Sequence, residues 1–137
     1  MAGSYTDYLE EQSLRYATGG TPAAAPGTVW IGLFGASPGE TAPGTAGELT
    51  GANGLTRQSS YGKWSYDFAG GSAYLSGTLN FGTTSAAAGT VTHIGAFGTA
   101  SSGTALWYAD AGTAVVLASA GIAYVLDPTN RITITHT

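Results

Sequence analysis

The chain has 137 residues, enough for one domain on the ordinary length scale, and it contains no cysteine, which excludes a disulfide scaffold, a thiolate metal site and a cysteine nucleophile. Charged residues make up 9%, with 4 Lys and Arg against 8 Asp and Glu for a net charge of −4, so there are too few cations to hold a nucleic-acid backbone or an anionic membrane surface. The apolar stretches fall far short of the ~20 residues a transmembrane helix needs, and 3 Trp, 8 Tyr and 4 Phe are too many aromatics for a disordered chain.

The bulk of the sequence is small: 23 Ala, 22 Gly, 20 Thr and 12 Ser, more than half of all residues. With the aromatics, this composition suits short strands joined by tight turns. A surface this neutral would meet its partners by shape rather than by charge. The first four residues carry no basic region, and residues 5–16 are too polar for a signal core. The protein is therefore expected to be made in a cytoplasm and assembled there into something larger.

In chain order, residues 4–17 form the one good helix candidate. Ser4 and Asp7 have the spacing of a capping box with Asp in place of Glu. Tyr5, Tyr8, Leu9, Gln12 and Tyr16 fall on one face at helical spacing. Acids lie toward the start and Arg15 toward the end, as the helix dipole prefers, and Gly19-Gly20 is a stop signal. So short a helix needs its apolar face buried, either on its own domain or on a neighbouring subunit. The expected division is a helical arm over residues 1–20 and a β-sandwich domain over 21–137. Residues 28–34 read as a strand, apolar enough to be covered on both faces. Residues 35–54 hold six glycines, two prolines and no aromatic, and read as a long surface loop.

From Leu55 onward short runs alternate with turn signals. Strands are expected at residues 55–61, 63–68, 73–81, 89–97, 104–109, 113–117, 122–126 and 131–135, with turns at 70–71, 100–103, 110–112 and 127–130. Alternation is clearest in Trp64-Ser65-Tyr66-Asp67-Phe68 and in residues 131–135. The pattern predicts a mainly β, single-domain, antiparallel sandwich of jelly-roll type with a short N-terminal α-helix.

Titratable groups that could converge on a reaction are scarce. The two histidines, His93 and His136, are far apart, and His93 lies in an apolar strand where a hydrogen-bonded structural role is the simpler reading. The eight carboxylates are scattered over the helix and the turns, so neither a glycosidase-type pair nor a metal centre is expected. Glu40 and Glu48 in the long loop are the nearest thing to calcium ligands, without the ligand-rich loop such a site needs. Trp30, Trp64 and Trp107 are either core or the lining of a sugar groove. No cofactor is expected.

The order of residues is more specific than any of these. After the helix TDYLEEQSLRYATGG come the strand PGTVWIGLFGASPGE, then Glu48, then Gly54-Leu55-Thr56-Arg57-Gln58, Leu79-Asn80-Phe81-Gly82, the stretch GTVTHIGAF over residues 89–97, and Ser102–Tyr108 as SGTALWY. In this order the chain resembles a family of small tailed-bacteriophage virion proteins, often labelled tail fibre or minor tail proteins and including head decorations. The resemblance covers nearly the whole length and departs at Gly98, where relatives often carry Asp. It implies a non-enzymatic structural protein of the virion. The first expectation is a capsid decoration (cement) protein, dimeric or trimeric, on the major capsid protein or neighbouring virion subunits; the second is a tail-fibre or tail-tip component contacting the host surface. A cell-wall enzyme is the third and least supported. Tyr5, Tyr8, Leu9 and Tyr16 of the helix, with Glu40 and Glu48 of the 36–54 loop, are the candidate partner-docking residues.

Overall fold

The computed structural model describes residues 2–41, 44–128 and 133–135, with side chains described for 4–41 and 44–128. In chain order the elements are β1 (Ala2–Tyr5), α1 (Asp7–Ala17), β2 (Trp30–Phe34), β3 (Gln58–Ser59), β4 (Trp64–Asp67), β5 (Ser72–Leu75), β6 (Leu79–Thr83), β7 (Gly89–Phe97), β8 (Ala105–Leu117), β9 (Ala123–Leu126) and β10 (Thr133–Thr135). Eight strands form one sheet in the order β3-β2-β7-β8-β1-β10-β5-β4, and β6 pairs with β9 in a second, two-stranded sheet. Pairing is antiparallel except for the parallel pair β1–β10. The mainly β, antiparallel, single-domain class with one short helix near the N-terminus is therefore the observed one, with two sheets of very unequal size.

One continuous core fills the space between them. Ile31 and Leu33 of β2, Ile94 of β7 and Trp107 of β8 pack with Leu79 and Phe81 of β6 and Leu126 of β9. The small sheet thus packs against one face of the large one, and within it Phe81 meets Tyr124 edge to face at 5.8 Å. A second cluster lies on the other side of β2 and β7, where the Phe34 and Phe97 rings stack at 6.0 Å beside Ala105. Residues 31–34 are all buried, as expected for a strand covered on both faces.

Local signals were misleading in four places. Ser4 and Tyr5, expected to open the helix, belong instead to β1, with Ser4 opposite Tyr108 and Tyr5 opposite Trp107. The cap is accordingly Thr6 rather than Ser4. The run 73–81 is cut into β5 and β6, which belong to different sheets. The 104–109 and 113–117 strands are a single strand, β8; the expected turn at 110–112 is an irregularity where the register shifts against Val91 and His93. There Gly112 takes φ +76° and donates its amide to the Asp110 carboxylate, because an Asp followed two residues on by Gly serves a bulge as readily as a turn. The first two residues of the expected 131–135 strand, the end of the 127–130 turn, and His136 lie outside the described residues.

Thr6 joins helix to sheet. It is fully buried, its hydroxyl donates to the carbonyls of Ala105 and Leu106 at 2.7 and 2.9 Å, and its oxygen accepts from the Leu9 amide at 3.4 Å. Thr6→Ala should cost about 1–2 kcal/mol by removing the cap and leaving buried carbonyls short of a donor. Chemical denaturation of the variant checks this, with Thr6→Ser expected to recover most of the loss.

Candidate functional site

The long loop turns back on the sheet instead of standing free. The Gly35 amide donates to the Gly47 carbonyl, and the Leu49 amide to that of Leu33. This brings Glu48 and Thr50 over β2, and Arg57 joins them from the far end of the loop. The Arg57 guanidinium grips the Glu48 carboxylate through Nε and Nη2, both at 2.7 Å, and donates from Nη1 to the carbonyls of Thr99 and Ser102. The Thr50 hydroxyl donates to the same carboxylate, and the guanidinium carbon lies 3.5 Å from the Phe97 ring centroid. The side chains of Arg57 and Glu48 are 2% and 7% exposed. Gly32 makes room for the cluster, since a Cβ there would meet Glu48 Oε1 at 2.8 Å. The Glu48 and Arg57 singled out by their order in the chain thus form one buried, bidentate ion pair. Glu48, one of the candidate docking residues, thus lies with its carboxylate turned inward and both oxygens engaged within the chain.

Glu40 stands apart from that cluster. Its backbone carbonyl accepts from the Asp7 amide at the start of α1, and its carboxylate accepts from the Tyr108 hydroxyl at 3.4 Å. Burial, reinforced by the Glu40 charge, raises the Tyr108 phenol above its ordinary value, so it remains a donor throughout the neutral range. Glu40 therefore ties the loop to the helix from an exposed position. Among the described residues no three acidic or histidine side chains are placed to hold a metal ion. The His93 imidazole shares a hydrogen with the Thr92 hydroxyl at 2.9 Å, half-buried in β7.

The helix divides along its length. Tyr5 and Leu9 pack against the core, and the Gln12 side chain accepts from the Ala23 amide. Past that point the helix has no cover: Leu14 is 65% and Tyr16 82% exposed, and Tyr8 stands at the margin. The predicted face is thus divided: Tyr5 and Leu9 pack on the core, Tyr8 stands at the margin and Tyr16 is in solvent. Leu14→Ser with Tyr16→Ser should leave stability within about 0.5 kcal/mol while weakening any attachment made through this end, a comparison open to thermal melts and particle co-sedimentation. Tyr8 with Leu9 would be a poorer pair, since Leu9 belongs to the core.

A second exposed apolar region is not among the predicted docking residues. Tyr66 and Phe68 are 61% and 86% exposed, and their rings stack 5.5 Å apart at 1°. Tyr61 is nearby in sequence and 77% exposed. Two shallow grooves flank Tyr66. One, of about 290 Å³, is lined by Pro26, Val29, Tyr61, Gly62 and Trp64; the other, of about 240 Å³, by Tyr5, Asp67, Phe68 and Ser72. Trp107 contributes to neither: it is buried and meets Trp64 edge to face at 5.8 Å, which makes it core and not a sugar platform. The alternation Trp64-Tyr66-Phe68 signalled a strand with one aromatic side; nothing local said that this strand ends the sheet.

A family model described as Podophage GP4 fiber I protein gp80 matches residues 4–135. No curated protein matches the chain.

Proposed function

The chain belongs to the Podophage GP4 fiber I protein gp80 family, a family of bacteriophage virion structural components, and from that premise we propose that it is a non-enzymatic fibre subunit. It is held in the particle by protein–protein contacts and turns part of its aromatic surface toward the host. The observation that carries this reading is the placement of Leu14, Tyr16, Tyr61, Tyr66 and Phe68 in solvent on a chain with only 9% charged residues. Exposed apolar side chains gathered in patches are the physical mark of surfaces that work by contact. The acids support the non-enzymatic reading, because Glu48 is committed to Arg57 and Glu40 to Tyr108.

Decoration of the capsid has one feature in its favour: the last turns of α1 leave Leu14 and Tyr16 in solvent, where a neighbouring subunit could cover them. The same experiment separates the two. Immunogold labelling of intact particles with antibody against this chain should mark the fibres in small numbers. Dense label over the head would replace the fibre reading with decoration, and unlabelled particles would overturn both.

A further inference from the structure

β4 is the last strand of the eight-stranded sheet. Its register against β5 sets Ser65 opposite Tyr74 and Asp67 opposite Ser72, and the Lys63 carbonyl accepts from the Ser76 amide at 2.8 Å. In an antiparallel ladder alternate residues direct their backbone groups to the same neighbour. Lys63, Ser65 and Asp67 therefore serve β5, and the amides and carbonyls of Trp64 and Tyr66 face outward from the sheet. Exposed edges are normally blunted by shortness, by charged side chains such as lysine, by proline or by a bulge; β4 is short, at four residues, with Lys63 just before it and Asp67 at its end. β4 has no proline, and its pairing shows no register shift. It carries the exposed Tyr66, stacked on the exposed Phe68 just past its end.

We propose that β4 is an assembly edge on which a second copy of this chain pairs antiparallel, Ser65 against Ser65. The occupant follows from the sequence of the strand itself. In this register Lys63 of each copy lies opposite Asp67 of the other. Within its own chain the Lys63 ammonium donates to the Thr78 carbonyl at 2.6 Å and Asp67 Oδ1 accepts from the Gly70 amide at 2.9 Å, which leaves further ammonium donors and the second carboxylate oxygen to meet across the seam, whereas a parallel pairing would set like charges together. Trp64 lies opposite Tyr66 of the second copy, which joins the outward-facing backbone groups as a hydrogen-bonded pair. Phe68 of the second copy, which opens the turn just past β4, falls beside Gly62, at the groove lined by Pro26, Val29, Gly62 and Trp64, and so covers the most exposed apolar side chain next to the strand. The contact is isologous and closes with two copies. It does not depend on where in the particle the chain sits, so it stands or falls separately from the fibre reading.

The test uses the purified full chain. Light scattering over a wide concentration range should find a dimer, and Phe68→Ser should raise its dissociation constant at least tenfold while leaving the circular dichroism unchanged. Because the chain has no cysteine, Ser65→Cys reports the register: opposed residues of a non-hydrogen-bonded pair lie about 4.5 Å apart, within disulfide reach. Under mild oxidation it should cross-link far above a Ser119→Cys control on the exposed surface elsewhere. A dimer weakened by Phe68→Ser together with the Ser65 cross-link supports the proposal. A chain that stays monomeric, a dimer indifferent to Phe68→Ser, or a Ser65 cross-link no stronger than the control overturns it.

Discussion

Arg57→Ala is expected to lose about 3–5 kcal/mol of folding stability, a large share of the 5–15 kcal/mol that holds a domain together. The reason is what the substitution strands. Glu48 is 7% exposed, and Arg57 supplies both of its 2.7 Å guanidinium contacts. Without them a nearly dry carboxylate keeps only the Thr50 hydroxyl, the Thr99 carbonyl loses its guanidinium donor, the Ser102 carbonyl keeps only the Thr99 hydroxyl, and Phe97 loses the guanidinium above its ring. At this chain length the loss corresponds to a fall in Tm of about 10–20 °C. The pair as a whole is worth much less than this, because bringing two charges out of water offsets most of their attraction. Arg57→Met combined with Glu48→Gln should therefore regain at least half of what Arg57→Ala loses. Denaturant melts of both variants decide the matter. A loss under about 1 kcal/mol for Arg57→Ala would mean that the loop does not depend on the pair.

Gly54→Ala should be of similar size, through the backbone instead of through charge. Gly54 has φ +83°, and a Cβ there would collide with the Thr83 carbonyl oxygen and lie 3.1 Å from the Ser85 amide nitrogen. Both are backbone atoms, so no side chain can swing away. The segment is zipped to β6 on either side, with the Thr56 amide donating to Phe81 and the Ser85 amide to Asn53. An alanine must force that junction apart and also accept a left-handed conformation, which alone costs about 1–2 kcal/mol. A total of about 3–5 kcal/mol is expected. Gly47→Ala is the control: φ is +78° but nothing lies within 4 Å of the added carbon, so it should show the conformational part alone. Similar losses for the two variants would remove the close approach to β6 from the explanation.

Both residues lie in Gly54-Leu55-Thr56-Arg57-Gln58, the segment whose order in the chain resembled phage virion proteins before any contact was known. The sequence placed Arg57 after Glu48 but not against it. Glu48 was read as an exposed docking acid because its neighbours are glycine, alanine and threonine, the residues of open loops. Its burial requires β2 to present Gly32 beneath it and the loop to close across that strand, and neither is a local property. The helix was legible from spacing, yet its beginning was not. Ser4 and Asp7 imitate a cap well enough, but residues 2–5 gain more by pairing with β8 and β10, strands about a hundred residues away in the chain.

Local chemistry was enough wherever one strand or helix satisfied its own pattern. The β character of the chain, the extent of β7 at residues 89–97, the covered strand β2 and the amphipathic helix follow from branched, aromatic and glycine positions, because backbone sterics and side-chain periodicity act over a few residues. Tertiary structure alone decided which strand became an edge, which acid was buried and which half of the helix stayed in water. Those outcomes depend on neighbours supplied by distant parts of the chain, and a hydrogen-bonding edge or a buried charge has no meaning until those neighbours are in place.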